Sequence, residues 1–196
     1  LKANRFATNR RVLAEAGESI RFFLESGIVE LGDKLGPIVW QFAPTKRFDP
    51  DDFGAFLGLL PQAQDGCPLT HVLEVRHESF RCPEFIALAA RHRCPAVYTD
   101  NPEFPSFADP TGDVFYGRLM NAQAHFKSGY APSALDRWAE DARALARGEL
   151  PASLPRVVPE GAAPGQPREV YLFFINGAKE RAPAAAMALI ERLGGR

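Results

Sequence analysis

A chain of 196 residues, 46% of them apolar, has the length of one domain and enough apolar content for a sizeable core. Its formal net charge of −1 excludes the overall basic character of many nucleic-acid binders, and leaves only a local basic cluster open. No apolar run is long enough to span a membrane, and the three cysteines, Cys67, Cys82 and Cys94, show no CxxC spacing, which points away from a disulfide framework or zinc site and towards reduced cytoplasmic thiols.

In chain order, Leu1 to Ala3 reads as a strand end, and residues 36–42, Gly-Pro-Ile-Val-Trp-Gln-Phe, as a short strand. Asp49 and Pro50 then open a helix reaching Leu60, with acids in its first turn facing the positive helix end. Leu69 to Arg76 is predicted as the next strand. Along it Leu73 and Val75 face one way, Glu74 and Arg76 the other. Ser79 to His92 is predicted as a helix, with Phe85, Leu88 and Ala89 at helical spacing, and Pro95 to Asp100 as a short strand ending in a carboxylate.

Residues 101–112, rich in Pro, Asp and aromatics, read as a loop. Val114 to Met120 is a strand, and Pro132 opens an amphipathic helix with Leu135, Trp138, Ala142 and Leu145, closed by Gly148. Residues 149–168 read as a flexible loop inside one domain covering 1–196. Glu169 to Asn176 is the last strand and Pro183 to Leu193 the last helix.

This alternation predicts an α/β fold with a parallel sheet. A charged strand face opposite an apolar one suits a TIM-like parallel β/α barrel, near the end that carries chemistry. Such a barrel takes roughly 250 residues. On that count the chain is missing its first two strands and part of the third. The alternative, a doubly wound open sheet, lacks any glycine-rich phosphate loop after a strand.

Several stretches resemble the YecE-like family, also called domain of unknown function 72. They are Lys2-Ala3, Arg5 to Arg11, Leu31 to Phe42, Glu74 to Phe80, Tyr116 to Leu119, Tyr130 with Leu135 and Trp138, Tyr171 to Asn176, and Ala182-Pro183. The resemblance implies a TIM-like barrel whose usual first two strands precede these residues, and it implies no activity. The family tends to carry His where this chain has Met120, and Asn-Asn-Asp at the end of the last strand, where this chain has Ile175-Asn176-Gly177.

In a parallel barrel, functional groups come from the C-terminal ends of the strands. That rule collects Lys2 and Asn4, Gln41, Glu74 and Arg76, Asp100, Arg118 and Asn121, and Asn176 with Lys179, with Arg5 and His77 just beyond. Converging cations and amides suit a small anionic ligand, phosphorylated or carboxylated, gripped by Lys2, Gln41, Arg76, Arg118 and Asn176. Glu74 and Asp100 are the candidate acid and base of a hydrolase, lyase or isomerase. The plainer alternative is that Glu74 and Arg76 pair only with each other. A divalent metal on Glu74, Asp100 and His77 would be thinly held, since His77 has the wrong parity. A nucleic-acid-backbone binder or metal-dependent nuclease-like barrel, and a non-catalytic scaffold, are the rival readings.

Overall fold

The computed structural model describes residues 1–158 and 166–195. The chain opens with a single parallel bridge at Lys2, followed by helices α1 (Arg5–Thr8) and α2 (Gly17–Leu24). Strand β1 (Ile38–Gln41) and helix α3 (Pro50–Gly58) come next. A small hairpin of β2 (Ala63–Gln64) and β3 (Cys67–Pro68) leads into β4 (His71–Glu74) and helix α4 (Pro83–Arg91). Then follow β5 (Tyr98–Thr99), β6 (Val114–Leu119), α5 (Pro132–Ala146), β7 (Glu169–Phe174) and α6 (Ala182–Leu193).

Local chemistry sets most of these boundaries. The Asp49 carboxylate accepts from the backbone N–H groups of Asp51 and Asp52, and Pro50 supplies a first turn that needs no donor. Gly148 and Gly194 take left-handed φ values of 85° just past α5 and α6, a conformation open to glycine at little cost. Helix α4 starts four residues later than its periodicity predicts. Cys82, the residue before Pro83, is held extended, and His77 caps a separate 3-10 turn at Glu78–Phe80. Helix α1, of four residues, and the two-residue strands of the hairpin are too short to show a period, and α2 is a further helix the sequence reading did not predict, burying Ile20 and Leu24 one turn apart. Of the loop expected at 149–168, residues 149–158 and 166–168 hold no helix or strand, and 159–165 lie outside the described residues.

All strand pairings outside the hairpin are parallel. Lys2 bridges Val39 of β1, β1 pairs with β4, and Leu73 of β4 bridges Ala96, just before β5. β5 pairs with β6 and β6 with β7. Space therefore repeats chain order, from Lys2 through β1, β4, β5 and β6 to β7. The arc does not close: among the described residues nothing pairs with the outer side of β7 or of the Lys2 segment, and no closed barrel is formed. The fold is α/β with parallel sheets.

Helices cover one face of this arc. Around β1 and β4 they bury Trp40, Phe42, Phe53, Phe56, Phe80 and Phe85, in edge-on and tilted contacts such as Trp40 to Phe56 at 5.7 Å. Around β6 and β7 they bury Tyr98, Leu119, Leu135, Trp138 and Leu189. The opposite face gathers Val39, Val72, Val97 and Tyr116 into a third, smaller cluster. It is this inner face that carries Glu74 and Arg118.

Among the described residues no helix is long and apolar enough to cross a membrane, and all three cysteines are free. Burial pushes the Cys94 thiol pKa up to about 12, so it packs as a small apolar group.

Candidate functional site

Glu74 closes β4 with its carboxylate on the inner face and only 3% of the residue exposed. A buried charge is costly unless paired and hydrogen-bonded. Here every donor is supplied. Oε1 accepts from Gln41 Nε2 at 2.8 Å, from Arg76 Nε at 2.9 Å and from Arg76 Nη2 at 2.6 Å. Oε2 accepts from Arg118 Nη1. Gln41 and Glu74 are register partners on adjacent strands, and Arg76 stands two residues on, so strand parity alone aims three of the four groups inward. Arg118 reaches in from β6, where its register partners are Thr99 and Phe173.

Aromatic side chains frame the cluster. The Arg76 guanidinium lies 4.6 Å from the centre of the Phe104 ring, a cation–π contact reaching across from the loop after β5. Tyr116 stacks on Phe173 at 4.9 Å, one inward position before Arg118. Burial pushes the Tyr116 hydroxyl pKa up; the Arg118 charge pulls it down, and that of Glu74 adds to the rise.

A cleft of about 480 Å³ opens beside this cluster, between α1 and the ends of β1 and β4. Its charged lining is Lys2, Arg5 and Arg76, and its neutral polar lining Thr8, Asn9 and Gln41. Among the described residues, Lys2 and Arg5 have no carboxylate within ion-pair distance, and no acid lines the cleft.

Of the expected site residues, Lys2, Gln41, Glu74, Arg76 and Arg118 thus come together, although Arg118 meets the others through Glu74. Asn176 does not join them. It is exposed beyond β7, at the far end of the arc from Lys2. Asp100 also stands apart from Glu74. Its Oδ1 accepts from the Met120 backbone N–H, and its Oδ2 from the Tyr130 hydroxyl at 2.8 Å, a residue of the helix-side core. The reason is parity: Val97 turns to the inner face, so Tyr98 and Asp100 turn towards the helices. Both Val97 and Tyr98 are apolar, and the sequence pattern offers no way to choose between them. Burial pushes the Asp100 carboxyl pKa up, against the downward pull of its hydrogen bonds to Met120 and Tyr130.

His77 accepts from the Ser79 backbone N–H and is spent as a cap. Among the described residues no group of three or more His, Cys, Asp or Glu side chains is placed to hold a metal ion. Sequence reasoning overlooked Thr8 and Asn9, which α1 brings to the cleft. Their only signal was the Asn4 side chain capping that four-residue helix, with the Ala7 N–H donating to it at 3.2 Å.

A parallel α/β arc with a cation-lined cleft at the C-terminal ends of its strands is the class these features define. Comparison places it further. The sequence matches the family described as "Protein of unknown function DUF72" over residues 1–196, and the chain belongs to that family. Among solved structures it is similar to a DUF72 family protein (TM1631) from Thermotoga maritima MSB8, with a TM-score of 0.66 at 20% identity, over 97% of this chain and 70% of that one. Among curated proteins none matches.

Met120 and Gly177 have structural parts to play here. Met120 is buried, and its N–H is the donor to Asp100. Gly177 has φ +72°, and a Cβ on it would stand 2.2 Å from the Ala122 carbonyl oxygen. Its approach makes the parallel bridge between Ala122 and Gly177.

Proposed function

We propose that this chain binds a small anionic molecule, phosphorylated or carboxylated, in the cleft at the ends of β1 and β4, as the substrate of a barrel-type enzyme. The observation that carries this reading is the convergence of Lys2, Arg5 and Arg76 on a cleft with no acid in its lining, two of them without a carboxylate partner among the described residues. Lys2 and Arg5, without a carboxylate partner among the described residues, and Arg76, paired with Glu74, gather at one cleft, and an anion relieves the excess positive charge there with charge-assisted hydrogen bonds. Glu74 serves here as an organiser. Three donors crowd one of its oxygens and a guanidinium takes the other, so it holds Arg76 and Arg118 in place and has little room to take a substrate proton.

The same reading includes the fold. The arc is six consecutive strand positions of an eight-stranded barrel, and further chain closes it between β7 and Lys2. The parallel order, with each strand beside its sequence neighbour, supports this, as does a relative of which this chain spans 70%.

Isothermal titration with inorganic phosphate and with a dicarboxylate tests the anion site. Saturable binding is expected, weakened roughly tenfold by Lys2→Ala and by Arg5→Ala, about 1.4 kcal/mol each. Heat changes that do not saturate at tens of millimolar, or binding untouched by both variants, would remove the assignment.

A further inference from the structure

We infer that the anion taken by this cleft is a phosphate monoester on a hydroxyl-rich carrier of sugar size, with Asn9, Thr8 and Gln41 meeting the carrier. The inference rests on the anion reading above and narrows it.

Size comes first. A cleft of about 480 Å³ is far larger than one tetrahedral oxyanion, and lies in the range of sites for whole small molecules, roughly 300–1,000 Å³. The cations Lys2, Arg5 and Arg76 answer the phosphate. The remaining polar lining is neutral, and amides and hydroxyls can both donate and accept. Thr8 and Asn9 stand at the end of α1, and Gln41 at the end of β1. Gln41 gives its Nε2 to Glu74, and its Oε1 receives no donor among the described residues. The Asn9 side-chain amide likewise makes no hydrogen bond among them. A free acceptor and a free amide beside a cation cluster match a carrier whose hydroxyls need both kinds of partner.

The apolar lining argues against a planar base. It consists of Ala3, Phe42, Ala43 and Pro44. Phe42 is the one aromatic, and its ring is packed against Phe53 at 4.9 Å and Phe56 at 5.3 Å, with the residue 1% exposed. No aromatic face is therefore offered from the cleft lining for a base to stack on.

The test is a set of titrations on the intact chain, comparing inorganic phosphate, a pentose 5-phosphate, a hexose 6-phosphate, the free sugars and adenosine 5′-monophosphate. A sugar phosphate is expected to bind about tenfold or more tighter than inorganic phosphate, worth roughly 1.4 kcal/mol. Asn9→Ala, and separately the isosteric Thr8→Val, should cut that ratio to about threefold or less. Phosphate binding with no gain from either sugar, or a ratio that both variants leave unchanged, overturns the carrier assignment while the anion site stands. Adenosine 5′-monophosphate binding tenfold tighter than both sugar phosphates overturns it in favour of base recognition. If neither phosphate nor any phosphate ester binds, the phosphate assignment is overturned, and the anion reading falls with it when the dicarboxylate fails to bind as well.

Discussion

Gln41 donates its amide to the Glu74 carboxylate at 2.8 Å across two adjacent parallel strands, and the two residues are register partners. This pairing ties the best-buried charge of the inner face to the strand that borders the cleft. Glu74 in turn holds Arg76 and Arg118 from opposite oxygens. Replacing it by glutamine keeps the shape and removes the charge, leaving two half-buried guanidiniums facing each other across the site. Glu74→Gln is expected to cost about 3–5 kcal/mol, the range for breaking a buried ion pair on one side. Gln41→Ala, which removes one of four donors, should cost about 1 kcal/mol. Urea unfolding of both variants checks this, and a Glu74→Gln midpoint equal to that of the parent chain would mean that the cluster contributes nothing to the fold.

Tyr130 is a second tie. Its hydroxyl donates to Asp100 Oδ2 at 2.8 Å and accepts from the Asn121 backbone N–H at 3.0 Å, so one oxygen fastens the loop after β6 to the end of β5. Tyr130→Phe leaves both partners short of a bond. The expected loss is about 1–3 kcal/mol, with faster amide exchange at Asn121 in particular. Exchange at Asn121 unchanged from the parent would show that this N–H is protected by something other than the phenol.

His71 sets an acid limit on stability. Trp40 Nε1 can only donate, so His71 Nδ1 accepts from it, at 3.0 Å, and Nε2 donates to the Pro61 carbonyl oxygen at 2.7 Å. Accepting at Nδ1 requires the neutral ring, and burial holds its pKa below the ordinary 6.5, against a smaller upward pull from Pro61. A folded pKa below the unfolded one means that the unfolded chain binds the proton first as pH falls. The contribution of His71 is therefore complete above pH 6.5 and is lost progressively below it, by up to about 1.4 kcal/mol per pH unit. Urea midpoints should fall between about pH 7 and 5 in the parent, and should fall less in His71→Gln, which keeps a donor and an acceptor. Parallel slopes in the two proteins would refute the assignment.

Gly177 offers the sharpest steric forecast. With φ at +72° and a would-be Cβ 2.2 Å from the Ala122 carbonyl oxygen, no side chain fits without moving backbone. Gly177→Asp should destabilise by about 2 kcal/mol or more and break the bridge to Ala122. A stable Gly177→Asp protein would imply that the end of β7 can be rebuilt.

Gly117 gives a milder case on the same sheet. Its added Cβ would meet Leu172 Cδ2 at 2.6 Å and Phe115 Cε1 at 3.3 Å, both of them side-chain atoms that can shift. Gly117→Ala is expected to cost about 1–3 kcal/mol through overpacking, read from the thermal midpoint. A rise in that midpoint would indicate slack between β6 and β7.

What the sequence determined by itself was the α/β alternation, the caps and the alternating face of β4. Each rests on chemistry within a few residues: Asp49 reaching Asp51 and Asp52, Gly148 turning left-handed, Glu74 and Arg76 two apart on one strand. The five groups that meet around Glu74 and the cleft were also legible, because the end of a parallel strand is a place that parity and a closing loop define. What only the tertiary structure decided was partnership. Asp100 could not be separated from Glu74 until Val97 took the inner face, since adjacent apolar residues leave parity undetermined. Arg118 lies 44 residues from the carboxylate it holds, a distance no local rule crosses. Thr8 and Asn9 came to the cleft only by the folding of α1 against the ends of β1 and β4, a packing that a helix of four residues cannot announce through periodicity.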